Sequence, residues 1–331
     1  MSQQPPAFSN QAKQNVPRWR KTPPALYPPV LGLFGLAVAW SRAPDISVIP
    51  AAVGQILSGA MVLLYVYVAG HYIAKLAARP GVAAEDLKTL PGRAGLAALT
   101  MAGMLFALAL VPYSMLLARV ALALAVFGHA AVLALVARNL LRGPAEVRKV
   151  TPVFHLTFVG LIVSPIAALQ LGWTGYATAV FWVTLVLAVA IWTASALQFA
   201  RETPPAPLRP LLAIHLAPAS LLGTVALLLG YPGLGLAFGI LAIGLVAALL
   251  AGFRWITKAG FTPFWGAITF PLAAFSSLMM ILAGAGYGGV FRILGGLALV
   301  AATFFIPWVA VKVGQMWLKG GLAVKTNAAV A

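Results

Sequence analysis

Thr262-Pro263-Phe264-Trp265-Gly266-Ala267-Ile268-Thr269-Phe270-Pro271-Leu272-Ala273-Ala274-Phe275-Ser276-Ser277 opens an apolar run long enough to cross a bilayer, with a proline near its middle. Pro271 offers no backbone N–H and crowds the carbonyl of Ala267, so a helix here should bend. An unpaired backbone group in hydrocarbon costs several kcal/mol, so such a bend belongs against other protein or a water-filled cavity. Directly before it stands one bulky aromatic, Phe270, among small residues. The pattern points to the gated wall of a pore.

The rest of the chain fits that setting. It is 62% hydrophobic and 8% charged, against about 25% charged in soluble domains. Apolar runs of spanning length recur along it, so it reads as one polytopic, all-α membrane domain. Residues 1–24 form a polar, proline-bearing tail expected to be disordered and cytoplasmic, residues 25–318 the membrane domain, and residues 319–331 a cytoplasmic C-terminal tail. The opening residues do not have the layout of a cleavable signal peptide. Cysteine is absent, which excludes disulfides, thiolate metal sites and thiol nucleophiles.

Ten spans are predicted at 25–42, 50–77, 92–111, 113–137, 151–171, 175–200, 210–230, 233–254, 263–285 and 289–317. The charges test this count. With both termini and the loops after even spans on one side, that side carries 19 of the 22 Lys and Arg residues, and the other only Arg42, Arg119 and Arg292. Such a bias marks the cytoplasmic face. The net charge of +17 then needs no nucleic-acid partner, because topology and anionic inner-leaflet lipid account for it.

Prolines also recur at the starts of the odd spans, at Pro29, Pro91, Pro152, Pro210 and Pro263, with spacings of 62, 61, 58 and 53. This reads as five tandem helical hairpins, odd helices inside and even helices outside, around a central pore. Aligned on these prolines, Leu36 (or Gly35, if Pro28 is the marker), Ala98, Val159, Ala217 and Phe270 share one level. Helical spacing from Phe270 gives a stripe of small residues, Gly266, Ala267, Ala273, Ala274, Ser277 and Gly284; the seventh span has Ala213, Ala217, Ser220 and Thr224. Such stripes serve close helix packing as well as pores. The single aromatic favours a constricted pore.

The five acids, Asp45, Glu85, Asp86, Glu146 and Glu202, all fall in loops or at span ends. An ion-coupled pump usually keeps a carboxylate at membrane depth, so a passive path for anions fits better. Arg119 reads as a snorkelling side chain. The four histidines have no metal-ligand spacing. His155 lies four residues before Val159, on the proposed pore face, although packing also suits it; His215 points roughly the other way from Ala217. No nucleophile elbow, phosphate loop or carboxylate pair is present, so no enzyme activity, cofactor or metal is expected. Gly284-Ala285-Gly286-Tyr287-Gly288-Gly289 reads as a turn.

Three stretches carry a resemblance: Leu31-Gly32-Leu33-Phe34-Gly35-Leu36-Ala37-Val38-Ala39-Trp40, His215-Leu216-Ala217-Pro218-Ala219-Ser220, and Ile268-Thr269-Phe270-Pro271-Leu272-Ala273-Ala274-Phe275. They resemble the first, seventh and ninth spans of the TehA/SLAC1 family, which includes bacterial tellurite-resistance and dicarboxylate-transporter homologues and plant slow anion channels. The resemblance runs from about Pro28 to Trp317. It implies a homotrimer in a bacterial-type inner membrane, one pore per subunit, and Phe270 as the occluding gate. It further implies that Gly32 leaves room for the ring. The residues themselves make Pro165, Pro218 and Pro271 the expected helix kinks. The fifth span departs, with Gly160 where later repeats carry a mid-span proline and its own proline later, at Pro165. The expected function is an anion channel for chloride or nitrate. The alternative is a secondary transporter of C4-dicarboxylate or tellurite.

Overall fold

The computed structural model describes residues 17–143 and 148–331. The first sixteen residues, Lys13 among them, and Glu146 lie outside the described residues. Besides short connecting helices, the main helices follow in order: α1 (Tyr27–Ser41), α2 (Ala52–Ala78), α3 (Leu90–Leu110), α4 (Met115–Arg142), α5 (Ser164–Gln170), α6 (Thr174–Phe199), α7 (Leu216–Leu228), α8 (Pro232–Ala251), α9 (Gly266–Gly284) and α10 (Gly289–Leu318). No strand occurs among the described residues. Nine of these segments, with their flanking turns, are long and apolar enough to cross a membrane. The fifth expected span is the exception: it is the shorter, broken segment His155–Gln170, in which α5 is preceded by a π turn and a 3-10 turn.

Each odd segment packs antiparallel on the even one that follows, giving five hairpins. The odd segments also touch in sequence, α1 on α3, α3 on the fifth segment, the fifth on α7, α7 on α9, and α9 back on α1, so they close a ring. Burial separates the two layers. In the four long odd spans 67–78% of residues are buried, against 17–33% in the even ones. The even helices instead expose Leu63, Phe127, Val186, Ile240 and Phe304, as a lipid-facing surface requires.

Three hairpins turn by the same device. Gly172, Gly230 and Gly286 adopt φ values of 82°, 81° and 86° just past the helix ends. The next residue in each case, Trp173, Tyr231 or Tyr287, donates its N–H back to Ala168, Ala226 or Leu282. This pattern caps orphan carbonyls and needs a left-handed residue, which glycine supplies without strain.

At the opposite end the first described residues and the C-terminal segment are fastened to the bundle. Lys75 of α2 and Asp86 of the short helix Val82–Asp86 form an ion pair of 2.9 Å with neither side chain exposed. Asp86 also accepts from Tyr72 Oη (2.9 Å) and from the backbone N–H of Ala329 (2.7 Å), and Lys75 donates to the Thr22 carbonyl (3.0 Å). Ala331 N–H reaches the Arg20 carbonyl. The tail expected to be disordered through residue 24 is therefore folded from Arg18, where a 3-10 turn runs to Lys21. The C-terminal segment 319–331 forms a helix, Gly321–Lys325, that buries Leu322. A buried carboxylate and ammonium hold these segments because neither ion can be left unpaired inside the protein.

Candidate functional site

The five inner segments enclose a cavity of about 30 Å³, room for roughly two waters and less than a hydrated anion needs. Every odd segment contributes to its wall: Gly35 and Val38 of α1 with Arg42 at its end, Leu105 of α3, Ile166 of α5, Leu221 and Thr224 of α7, and Phe270, Ala274, Ser277 and Ile281 of α9. Phe270 is buried. Its ring fills the space that Gly35 leaves, since a Cβ on Gly35 would stand 2.9 Å from the ring Cδ2.

The proline register explains this convergence. Fourteen residues after Pro28, Pro91, Pro152, Pro210 and Pro263 come Arg42, Leu105, Ile166, Thr224 and Ser277, and all five line the cavity. Seven residues after them come Gly35, Ala98, Val159, Ala217 and Phe270, of which only Gly35 and Phe270 line it. Ala98, Val159 and Ala217 are buried in the same apolar cluster as Phe270 but outside this wall.

Two donors face the cavity. The Thr224 hydroxyl makes no hydrogen bond among the described residues. Arg42 is the one charged residue of the wall, with Asp45 exposed beside it near the outer end. Ser277 donates to the Ala273 carbonyl (3.1 Å) and Ser220, outside the wall, to the Leu216 carbonyl (2.9 Å). The cavity thus offers an anion hydrogen-bond donors and one positive charge, with no carboxylate in the wall.

Several expected wall residues sit elsewhere. Gly32 faces Thr269, not the ring: a Cβ there would collide with the Thr269 side chain. Gly266 likewise faces Pro28 and Pro29 (2.9 Å from a built Cβ to Pro29 Cδ). Both glycines let α1 and α9 approach closely, the packing role that small stripes commonly play. Thr269 joins the same contact, donating to the Gly266 carbonyl at 2.7 Å. Gly32→Ala is accordingly expected to lower stability by about 1–3 kcal/mol through overpacking. Gly59→Ala, with nothing within 4 Å, is expected to be neutral or stabilising by roughly 0.5–1 kcal/mol. Thermal unfolding of the two variants in detergent checks the contrast.

His155 is also off the wall. It begins a π turn, His155–Val159, whose wider coil turns residues four apart away from a common face. Its Nε2 lies 3.0 Å from His215 Nδ1, and its ring packs at a tilt 5.5 Å from that of Trp192, so the two histidines expected on different faces meet between the fifth, sixth and seventh segments. Ala213 is buried in the 3-10 stretch Ala206–His215 that leads into α7. The irregular backbone of the fifth segment is satisfied by protein: His129 of α4 donates from Nε2 to the Thr157 carbonyl (3.1 Å) and accepts at Nδ1 from Thr100 (2.7 Å). Gly160 makes room for that imidazole, as a Cβ there would lie 2.8 Å from His129 Cε1.

The prolines differ in kind. Pro165 and Pro218 occupy the first turns of α5 and α7, where a missing N–H costs no helical bond. The break falls before them, as 3-10 turns switch to α-helix. Of these three, only Pro271 stands inside its helix.

Compared with known proteins, residues 21–314 match the family described as SLAC1, voltage-dependent anion channel. A search of the curated proteins finds no match.

Proposed function

The chain belongs to the SLAC1 voltage-dependent anion channel family, and from that premise we propose that its central cavity is an occluded stretch of a passive anion pathway with Phe270 as the gate. Membership supports the coarser role of anion transport by a multi-pass membrane protein. The observation that carries the finer reading is the wall itself. All five inner segments contribute to one wall, in which a single phenyl ring, Phe270, borders a space also lined by Arg42 and Thr224 and by no carboxylate. Gly35, Thr224, Ala274 and Ser277 are the wall residues in this reading, and small anions such as chloride or nitrate the cargo. The end bearing Arg18 and the C-terminal segment is cytoplasmic in this proposal, since its segments hold 18 of the 21 described basic residues. The assembly is a homotrimer in a bacterial-type inner membrane, which mass measurement of the detergent-extracted protein tests.

Arg42 gives the reading a charge-specific consequence. At about 6 Å and an effective permittivity near 20, two unit charges interact by roughly 3 kcal/mol; partial exposure screens this. In a Phe270→Ala background, Arg42→Ala is expected to lower chloride flux into liposomes by about tenfold, or roughly 1.4 kcal/mol, while Arg42→Lys retains most of it. Equal flux in Arg42→Ala removes the electrostatic role. Saturable, coupled uptake of a C4-dicarboxylate or tellurite without current would replace the channel reading by the carrier one.

A further inference from the structure

A second and far larger recess, of about 980 Å³, opens on the outer surface between α6, the 3-10 stretch Ala206–His215 and α8. Its walls are apolar side chains such as Phe199, Leu208 and Leu245, and its deep end is Trp192 with His215. Along α8 it runs from Leu241 to Gly252, the residue just past the helix end, about 16 Å at the helical rise per residue. That is close to half of a hydrocarbon core of about 30 Å, the depth of one leaflet. The mouth lies at the end of the bundle that carries both termini. There Lys149 forms an exposed pair with Glu202 at 2.8 Å, and Arg209 stacks 4.1 Å over the Trp255 ring that lines the rim. Arg209 also donates to the Pro204 and Trp255 carbonyls of the rim, so two cations, Lys149 and Arg209, stand there against one acid, Glu202, among the described residues.

We propose that this groove holds an anionic phospholipid of that leaflet. One acyl chain lies along α8 toward Trp192, and the phosphate sits among the cations at the mouth. The occupant follows from shape and charge together: the apolar trough is one leaflet deep, and its polar end is cationic, which favours an anionic over a zwitterionic headgroup. The deep end matters for the rest of the molecule, because His215 is hydrogen-bonded to His155 of the neighbouring inner segment. Lipid in the groove therefore contacts the inner ring, not only the outer helices.

Native mass spectrometry of the delipidated full chain, titrated with phosphatidylglycerol and with phosphatidylcholine of identical acyl chains, tests this. One saturable phosphatidylglycerol per chain is expected, bound about tenfold more tightly than phosphatidylcholine. Ala248→Trp fills the trough from an exposed position on α8 and should weaken phosphatidylglycerol binding by at least about tenfold. Leu241→Trp, also exposed and on the same wall, serves if that variant does not fold. Lys149→Glu should weaken phosphatidylglycerol alone. Parental affinity in a folded groove-filled variant overturns the proposal, as does equal binding of the two lipids. A drop in oligomer mass caused by Ala248→Trp without a change in lipid binding assigns the groove to a second copy of the chain, and overturns it too.

Discussion

Phe270→Ala is expected to raise chloride or nitrate flux through reconstituted protein by at least about tenfold, with each further factor of ten corresponding to about 1.4 kcal/mol of barrier. The ring is the one aromatic in the cavity wall, and it occupies space bounded by Gly35 and Ala273, which have no side chain or a methyl group to replace it. Truncating it joins the ring's volume to the present 30 Å³. The level above, formed by Arg42, Leu105, Ile166, Thr224 and Ser277, has no second aromatic to take over the block. Truncation of a fully packed phenylalanine costs about 3–5 kcal/mol of stability. Here one side of the ring borders a cavity, so the cost should fall at or below the lower end, and the variant should remain folded. Phe270→Leu should conduct between parent and alanine. A folded Phe270→Ala protein as tight as the parent would remove the gate from this position.

The largest loss of stability is expected at the other end of the molecule. Asp86→Ala leaves the Lys75 ammonium buried without its counter-ion, and it strips a partner from Tyr72 Oη and from the Ala329 N–H. Breaking a buried pair from one side costs about 3–5 kcal/mol. Both terminal segments should loosen together, because Lys75 also holds Thr22 while Asp86 holds Ala329. Lys75→Met combined with Asp86→Leu removes both charges and should recover much of the loss, since the pair's attraction mainly offsets its own desolvation. Thermal unfolding of the two single variants and the double variant forms the cycle that isolates the coupling. An Asp86→Ala midpoint equal to the parent's would show that the pair does not anchor the termini.

Much of this architecture was legible in the sequence because lipid imposes simple rules. Span ends follow from apolar length: α2, predicted at 50–77, covers Ala52–Ala78, and α10, predicted at 289–317, covers Gly289–Leu318. The recurring prolines marked the inner helices because each hairpin restarts at the same end. The cavity wall was half legible. Gly35, Thr224, Phe270, Ala274 and Ser277 could be named, whereas Arg42, Leu105 and Ile166 were missed although the same register, carried two turns further from Pro28, reaches them. In the sequence Arg42 stands out only as one of three basic residues on the outer side.

Other features depend on backbone that periodicity does not encode. His155 was assigned by α-helical spacing, but the π turn rotates it onto His215. Gly32 and Gly35 lie one turn apart on the same helix. Only the position of α9 decides which of them meets Thr269 and which meets Phe270. The docking of the two end segments leaves no local mark in the sequence, since the partners of Asp86 come from positions 72, 75 and 329, and Lys75 in turn holds position 22.

The central claim, that a Phe270-gated cavity conducts anions, is tested most directly by the reversal potential of Phe270→Ala in a planar bilayer under a potassium chloride gradient. Reversal is expected near the chloride equilibrium potential, displaced toward zero when Arg42→Ala is added. Reversal near the potassium equilibrium potential would contradict it.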